Sequence, residues 1–415
     1  MRENRKRKCG LYDKMFIAMN KTTELYYESA YITEFDAEVI ACVGNEDGRF
    51  EVILDRTAFF PEQGGQSSDL GVLLDDNGST VDVLHVSISE EDGETVIRHI
   101  TDGEVAVGSR VHGSVDWEHR FNNMQQHTGE HIFSGIVSRK FGYDNVGFHL
   151  SDSEVTMDYN GVLTPEDIKE IELEVNGAIW ENVRVIAEFP DKDRLDKMDY
   201  RSKKELTGDV RIVTVEGYDV CACCAPHVEH TGEVGLLKVV GLQNYKKGVR
   251  VSILCGKRAL LFLEKEHDMV TELSNRFTTS ADKVITSVNK LSEDNDSLKN
   301  KLNAANDKLM EYELDAIDKG LSDVFLVKEK EFDQNLMRNT VNKLAAEHSG
   351  YCGVFAGDDG GYIFIIASGT DKKDCKALMD MLKSEFDAKG GGSGTMIQGS
   401  IGSVDISEVI EKCSK

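Results

Sequence analysis

The sequence predicts a multidomain α+β protein: an N-terminal antiparallel β-barrel, an α+β domain built around a metal site, a long helical coiled-coil segment and a C-terminal α/β domain. Three observations carry that prediction. Short alternating apolar runs from Tyr26 onward are broken by Asp47-Gly48, Asn77-Gly78 and Asp92-Gly93, dipeptides that supply the positive φ of tight hairpins. Two pairs of metal-ligand residues, His127/His131 and Cys223/His227, each four apart, lie in the region that follows. Residues 257–318 then contain neither Pro nor Gly. At 415 residues the chain has room for two to four cores.

The barrel is drawn over 22–113, with strands at Ala37–Val43, Phe50–Leu54, Val72–Leu74 and Val81–Val86. Several short strands at such spacing close most readily into a small barrel. Residues 1–21 are an N-terminal extension. Its basic start (Arg2, Arg5, Lys6, Arg7, Lys8) reads as sequence upstream of a start near Met19, with a nucleic-acid-contacting tail as the alternative. Within the barrel, Gln63-Gly64-Gly65-Gln66 has two readings. A Gly-Gly pair lets backbone come close to a ligand, or it marks a bulge at a barrel corner.

The α+β domain, 114–256, holds both metal half-motifs. Asp116 is placed to cap a helix whose apolar face is Phe121, Met124, Ile132, Phe133 and Ile136. Side chains at i and i+4 share one helix face, so His127 and His131 can reach a single ion. Cys223 and His227 complete a set of one thiolate and three imidazoles, which suits one zinc ion. The stretch His127-Thr128-Gly129-Glu130-His131 also matches H-x-x-E-H, the inverted zincin signature. There the Glu is a general base for peptide hydrolysis and a downstream carboxylate is the third ligand. A second helix is expected over Pro165–Trp180, capped by Thr164, with strands near Val155–Met157 and Arg211–Val215.

In the helical segment, 257–318, apolar residues recur at 284, 288, 291, 298, 302, 305, 309 and 312, interrupted by Asn295. That 4-3 spacing is a coiled-coil seam, used either in a helical hairpin or in a homodimer. In the last domain, 319–415, Tyr362–Ala367 reads as a buried strand, and Leu378, Met379, Leu382 and Phe386 line one helix face. Lys389-Gly390-Gly391-Gly392-Ser393-Gly394 follows, either as a helix stop or as a loop whose N–H groups meet phosphate.

Bulk properties set limits. No run of about 18 apolar residues marks a membrane span, and the start lacks a secretory h-region. Nine cysteines, an odd number with three at 221, 223 and 224, do not form a disulfide framework, so a cytoplasmic location is expected. The net charge of −26 opposes non-specific polyanion binding. Any nucleic-acid contact must then be local, with Lys246, Lys247, Arg250, the helix lysines from 283 to 308 and the N-terminal basic run as candidates.

Taken together, the motifs resemble a family. Thr57-Ala58-Phe59-Phe60-Pro61-Glu62-Gln63-Gly64-Gly65-Gln66 with Asp69 and Gly71 is similar to the barrel signature of alanyl-tRNA synthetase editing domains. His127 to His131 looks like their H-T-x-x-H segment, and Cys223 to His227 with Thr231-Gly232-Glu233-Val234-Gly235 like the segment that completes the site. Gly390-Gly391-Gly392 with Gln398-Gly399 is similar to the end of a DHHA1 domain. The order fits stand-alone alanyl-tRNA editing hydrolases of the AlaX type, long form, over residues 22 to 415. The resemblance implies a translation-fidelity enzyme that hydrolyses the ester of seryl- or glycyl-tRNA(Ala). His127, His131, Cys223 and His227 would hold one Zn2+. Thr57 would meet the serine hydroxyl; Gln63, Gly65 and Gln66 would shape the site for the terminal adenosine and ester. Gly390, Gly391, Gly392 and Gln398 would face tRNA, and Glu130 is the candidate general base.

Zinc has two roles open to it: activating water if three protein ligands leave a position free, or holding the 3′ end if four close it. The chain departs from the family at Cys-Cys-Ala-Pro-His, where Cys-Gly-Gly-Thr-His is usual, and at Ser393 and Thr395, where Arg and Asp commonly stand. Cys221 and Cys224 add thiols beside the metal set. Two other classes remain: the zinc peptidase, and a non-catalytic tRNA-binding protein on the same fold.

Overall fold

The computed structural model describes residues 22–91, 94–151, 155–202 and 208–414. The basic N-terminal run and the Asp92-Gly93 turn lie outside the described residues. The chain divides into two compact units, Met1–Glu272 and Leu273–Lys415.

Six strands open the first unit: β1 (Glu34–Gly44), β2 (Phe50–Leu54), β3 (Gly71–Asp75), β4 (Thr80–Glu91), β5 (Glu94–Thr101) and β6 (Arg110–Val115). They close into an antiparallel barrel in the order β1-β2-β5-β4-β3-β6. The alternation that marked them in sequence is the alternation of interior and exterior. Phe35, Ala37, Val39 and Ala41 of β1 are buried, while Glu34, Asp36 and Glu38 face out.

Helix α1 (Trp117–Phe141) leaves the barrel with Asp116 accepting the His119 N–H at 3.0 Å and ends at Gly142 in the left-handed conformation. The expected apolar face is packed in the core, with Met124, Ile132, Phe133 and Ile136 buried and Phe121 against them, and burial extends beyond that face. From Asn123 to Val137 every residue is buried, so the helix is the central rod of the unit rather than a surface helix. Two glycines allow this. A Cβ at Gly129 would lie 2.4 Å from Cys255 Sγ, and one at Gly135 would lie 2.4 Å from the Tyr218 carbonyl oxygen. Polar groups on the rod are matched locally. Gln126 accepts from the Cys255 N–H and donates to its carbonyl.

Around this rod stand β7 (Asn145–Leu150), β8 (Val155–Tyr159), α2 (Pro165–Glu181), β9 (Val185–Glu188), β10 (Ile212–Val215), β11 (Asp219–Ala222), β12 (Leu237–Tyr245) and β13 (Gly248–Cys255). They form a four-stranded sheet β12-β13-β8-β7 and a three-stranded sheet β9-β10-β11. Thr164 caps α2 in a reciprocal capping box with Asp167. Arg250, expected to be open to nucleic acid, instead makes two hydrogen bonds to Asp158 across the sheet, at 2.6 and 2.8 Å.

Helix α3 (Gly256–Phe277) contains the division between the units. After the end of α3 the second unit continues with α4 (Val284–Asp315), one helix of 32 residues, about 48 Å long at 1.5 Å per residue. Its seam residues Val288, Leu291, Leu298, Leu302, Leu309 and Tyr312 are exposed. There follow β14 (Val324–Lys328), α5 (Gln334–Glu347), β15 (Tyr351–Asp358), β16 (Gly361–Ser368), α6 (Cys375–Phe386), β17 (Lys389–Gly392), β18 (Met396–Ile401) and α7 (Ile406–Cys413). The sheet order is β14-β15-β16-β18-β17, parallel only between β14 and β15.

Helices cover both sheet faces. Phe364 and Ile366 pack with α6 and α7, and Ile365 with Met337 and Val341 of α5. That is why Tyr362–Ala367 reads as a continuous apolar run. The glycine stretch is corrected too. Gly390–Gly392 is neither a helix stop nor a loop but edge strand β17, paired to β18. A Cβ at Gly390 would come within 2.2 Å of the Gln398 carbonyl oxygen. No helix among the described residues is long and apolar enough to cross a membrane.

Candidate metal centre and substrate pocket

His127, His131, Cys223 and His227 come together. One donor atom from each lies within 4.8 Å of every other. Cys223 Sγ is 3.4 Å from His227 Nε2 and 3.6 Å from His127 Nε2. The ring centroids of the three imidazoles are 4.6 to 5.4 Å apart. All but Cys223, which is half-buried, are shut off from solvent.

The Nδ1 side of each ring is held by a different element. His127 Nδ1 is 2.8 Å from Gln66 Oε1, His227 Nδ1 is 3.0 Å from Thr128 Oγ1, and His131 Nδ1 is 3.0 Å from Asp219 Oδ2. Gln66 Oε1 and Asp219 Oδ2 can only accept, so they favour Nδ1–H on His127 and His131 and leave Nε2 for a metal. Three imidazoles and a thiol so arranged fit a tetrahedral zinc.

Asp219 is itself gripped by Arg201, with Nε and Nη2 at 2.7 and 2.8 Å. Burial works against its charge, but His131 and Arg201 outweigh it and hold the carboxyl below its ordinary range. Burial also opposes charge on His131; Asp219, Cys221 and Glu130 overcome that and raise its pKa. Of the two additional thiols, Cys221 joins His131 and Asp219 in a second close group. Arg201 on the same carboxylate makes that group a poor cation site. Cys224 Sγ is 3.0 Å from where a Gly64 Cβ would stand, against the barrel loop.

The loop from Thr57 to Gln66 spans from the barrel to the metal domain. Gly65, at φ +87°, accepts the Leu150 N–H at 2.7 Å, and a Cβ there would meet the Phe148 carbonyl oxygen at 2.7 Å. Close backbone approach is thus used first against β7, and it delivers Gln66 to His127. A buried ion pair locks the junction. Arg120 of α1 donates to Asp69 and to the carbonyls of Ala30 and Ala58.

Thr57 is fully buried inside the barrel, 2.8 Å from His99 Nε2. Gln63 sits at the loop's turn, bridged to Gln66. Glu130 Oε1 accepts from Ser134 Oγ at 2.6 Å and Asn145 Nδ2 at 2.7 Å, which ties α1 to β7. In the second unit, Gly390, Gly391, Gly392 and Gln398 line a groove of about 630 Å³ with Arg338, which donates to Gln398 Oε1. Sequence reading passed over Thr128, Asp219, Arg201, Arg120 and His99 as working residues. Thr128 alone falls inside a motif; the others stand on separate strands and helix turns that no spacing links.

Comparison with known proteins gives the class first. Residues 210–251 match the second additional domain of threonyl and alanyl tRNA synthetases, and residues 2–119 match the class II (A) tRNA synthetases. The relatives sharpen this. The chain is 35% identical over 243 residues to alanyl-tRNA editing protein AlaX-L of Pyrococcus horikoshii, covering 57% of this chain and 58% of that protein. It is 27% identical over 395 residues to alanyl-tRNA editing protein Aarsd1 of Rattus norvegicus, covering 90% and 93%. It is 30% identical over 385 residues to alanine–tRNA ligase of Ignicoccus hospitalis, where it spans 90% of this chain but 40% of the ligase. A solved C-Ala domain of Aquifex aeolicus alanyl-tRNA synthetase aligns with 22% of the chain at 19% identity and a TM-score of 0.20. The chain is thus similar to alanyl-tRNA editing proteins and to part of alanine–tRNA ligases, and it spans 40% and 58% of the length of the ligase and of AlaX-L.

Proposed function

We propose that the protein is a trans-editing hydrolase that binds one zinc ion and cleaves the ester of seryl- or glycyl-tRNA(Ala). The single observation that carries this reading is the convergence of His127, His131, Cys223 and His227 beside a barrel loop that delivers Gln66 to the same corner. These four residues would hold the zinc ion, which would supply a fixed positive charge; with four protein donors and no open position it would suit holding the tRNA 3′ end rather than activating water.

The chain's own residues do the rest. Gln63, Gly65 and Gln66 shape the place of the ester and terminal adenosine, and the barrel interior at Thr57 receives the amino-acid side chain. Water attacks the ester carbonyl, the acyl–oxygen bond breaks, and the 3′ hydroxyl leaves with a proton. Glu130 is less suited to act as base than the motif suggests, because Ser134 and Asn145 already bind its Oε1. The same partners speak against the peptidase reading, as does Cys223 standing where that reading needs a carboxylate.

In the second unit we read the DHHA1-like role into the β17–β18 groove, with Gly390, Gly391, Gly392 and Gln398 toward tRNA. The exposed stripe of α4 is read as a coiled-coil surface for a second copy of the chain. Zinc analysis and deacylation of seryl-, glycyl- and alanyl-tRNA test the reading. We expect about one zinc per chain and hydrolysis of mischarged tRNA with alanyl-tRNA spared. Tight tRNA binding without hydrolysis would instead favour a binding protein on this fold.

A further inference from the structure

His99 lies in the middle of β5 with its whole ring buried, and nothing in the metal chemistry uses it. Its Nδ1 is 3.0 Å from the Val52 carbonyl oxygen. A carbonyl can only accept, so Nδ1 carries the proton and Nε2 presents a lone pair. Burial lowers the His99 pKa to about 4 despite that backbone bond, which keeps the ring neutral near pH 7. Nε2 is 2.8 Å from Thr57 Oγ1, so the hydroxyl must donate. The Phe59 N–H, an obligate donor, takes one Oγ1 lone pair at 3.1 Å. What remains on Thr57 is one acceptor site and no proton.

We propose that His99 is a positioning residue for specificity: by taking the Thr57 proton it makes Thr57 an acceptor only, so the pocket selects an amino-acid side chain that donates a hydrogen bond. A serine hydroxyl satisfies this; alanine and glycine do not. This rests on the deacylase reading above and sharpens it to serine over glycine. A site that pairs a substrate hydroxyl separates it from an analogue lacking one far better than an apolar pocket does.

The test compares kcat/KM on seryl-, glycyl- and alanyl-tRNA for the parent, Thr57→Val, His99→Phe, His99→Gln and the Thr57→Val/His99→Phe double variant, with zinc content measured on each. The seryl-to-glycyl ratio should fall about tenfold in His99→Phe, the scale of one oriented hydrogen bond. His99→Gln, whose amide oxygen can accept the same proton, should recover most of it. The double variant should be no worse than Thr57→Val alone. Equal loss on all three tRNAs, or additive losses in the double variant, would reduce His99 to a structural residue.

If the parent hydrolyses none of the three, the deacylase reading fails and this inference falls with it. If Thr57→Val erodes the ratio while His99→Phe keeps it, only the role of His99 is wrong. Nitrogen NMR of the parent provides a check that needs no variant. Resonances should report a neutral, Nδ1-protonated His99 from about pH 5 to 8. A protonated ring or the Nε2–H tautomer in that range would overturn the proposal.

Discussion

The metal corner of the first unit and the glycine ribbon of the second were both marked by residue type, yet only one was legible as chemistry. At the corner, the three imidazoles among the four converging side chains each meet a residue from behind: Gln66 from the barrel loop, Thr128 from α1, Asp219 from β11. At the ribbon, Gly390 and Gly392 are required by the backbone itself, with Cβ clashes of 2.2 Å against β18. Ligand residues at helical spacing announce a shared target. Glycines announce only that something comes close, and here the nearest thing is the neighbouring strand.

The largest expected effect comes from breaking the corner. Cys223→Ala should remove zinc and lower seryl-tRNA deacylation by roughly a hundredfold or more. An inverted-zincin peptidase would keep its metal in that variant, so zinc analysis alone separates the two. Asp219→Asn sharpens the contrast by leaving all four ligands in place. With the carboxylate behind His131 neutralised, zinc affinity should fall about 10- to 100-fold, read by chelator competition. An unchanged affinity would mean that Asp219 serves Arg201 and not the metal.

The smallest effect belongs to the ribbon. Gly390→Ala should destabilise the protein by about 1–3 kcal/mol in denaturant unfolding, as overpacking does. Gly391→Ala, where an added Cβ meets nothing within 4 Å, should stay within about 0.5 kcal/mol. Equal costs at the two positions would mean that β17 does not pair as described. Measuring tRNA affinity in Gly391→Ala then asks whether the ribbon's outer face is used at all.

Much of the fold was legible because periodicity records burial. The strand Phe50–Leu54 has the bounds that its apolar run predicts, and Asp116 and Thr164 cap the helices that their residue type and position predict. What failed did so for identifiable reasons. The burial of Asn123, Gln125, Gln126 and Glu130 on α1 is not legible in sequence because they are polar. They are buried nonetheless: Gln125 and Gln126 meet Glu233 and Cys255 from far along the chain, and Glu130 meets Ser134 and Asn145 nearby. The four converging side chains are readable from spacing, whereas Asp219, Arg201 and His99 are not. Their roles depend on which ring nitrogen faces which strand, and only the folded geometry specifies that.

The most direct test of the shared-ion claim is zinc K-edge X-ray absorption on the purified full chain. The arrangement predicts one sulfur at about 2.3 Å and three nitrogens at about 2.0–2.1 Å. A shell of nitrogen and oxygen with no sulfur would contradict it, because Cys223 would then lie outside the metal site.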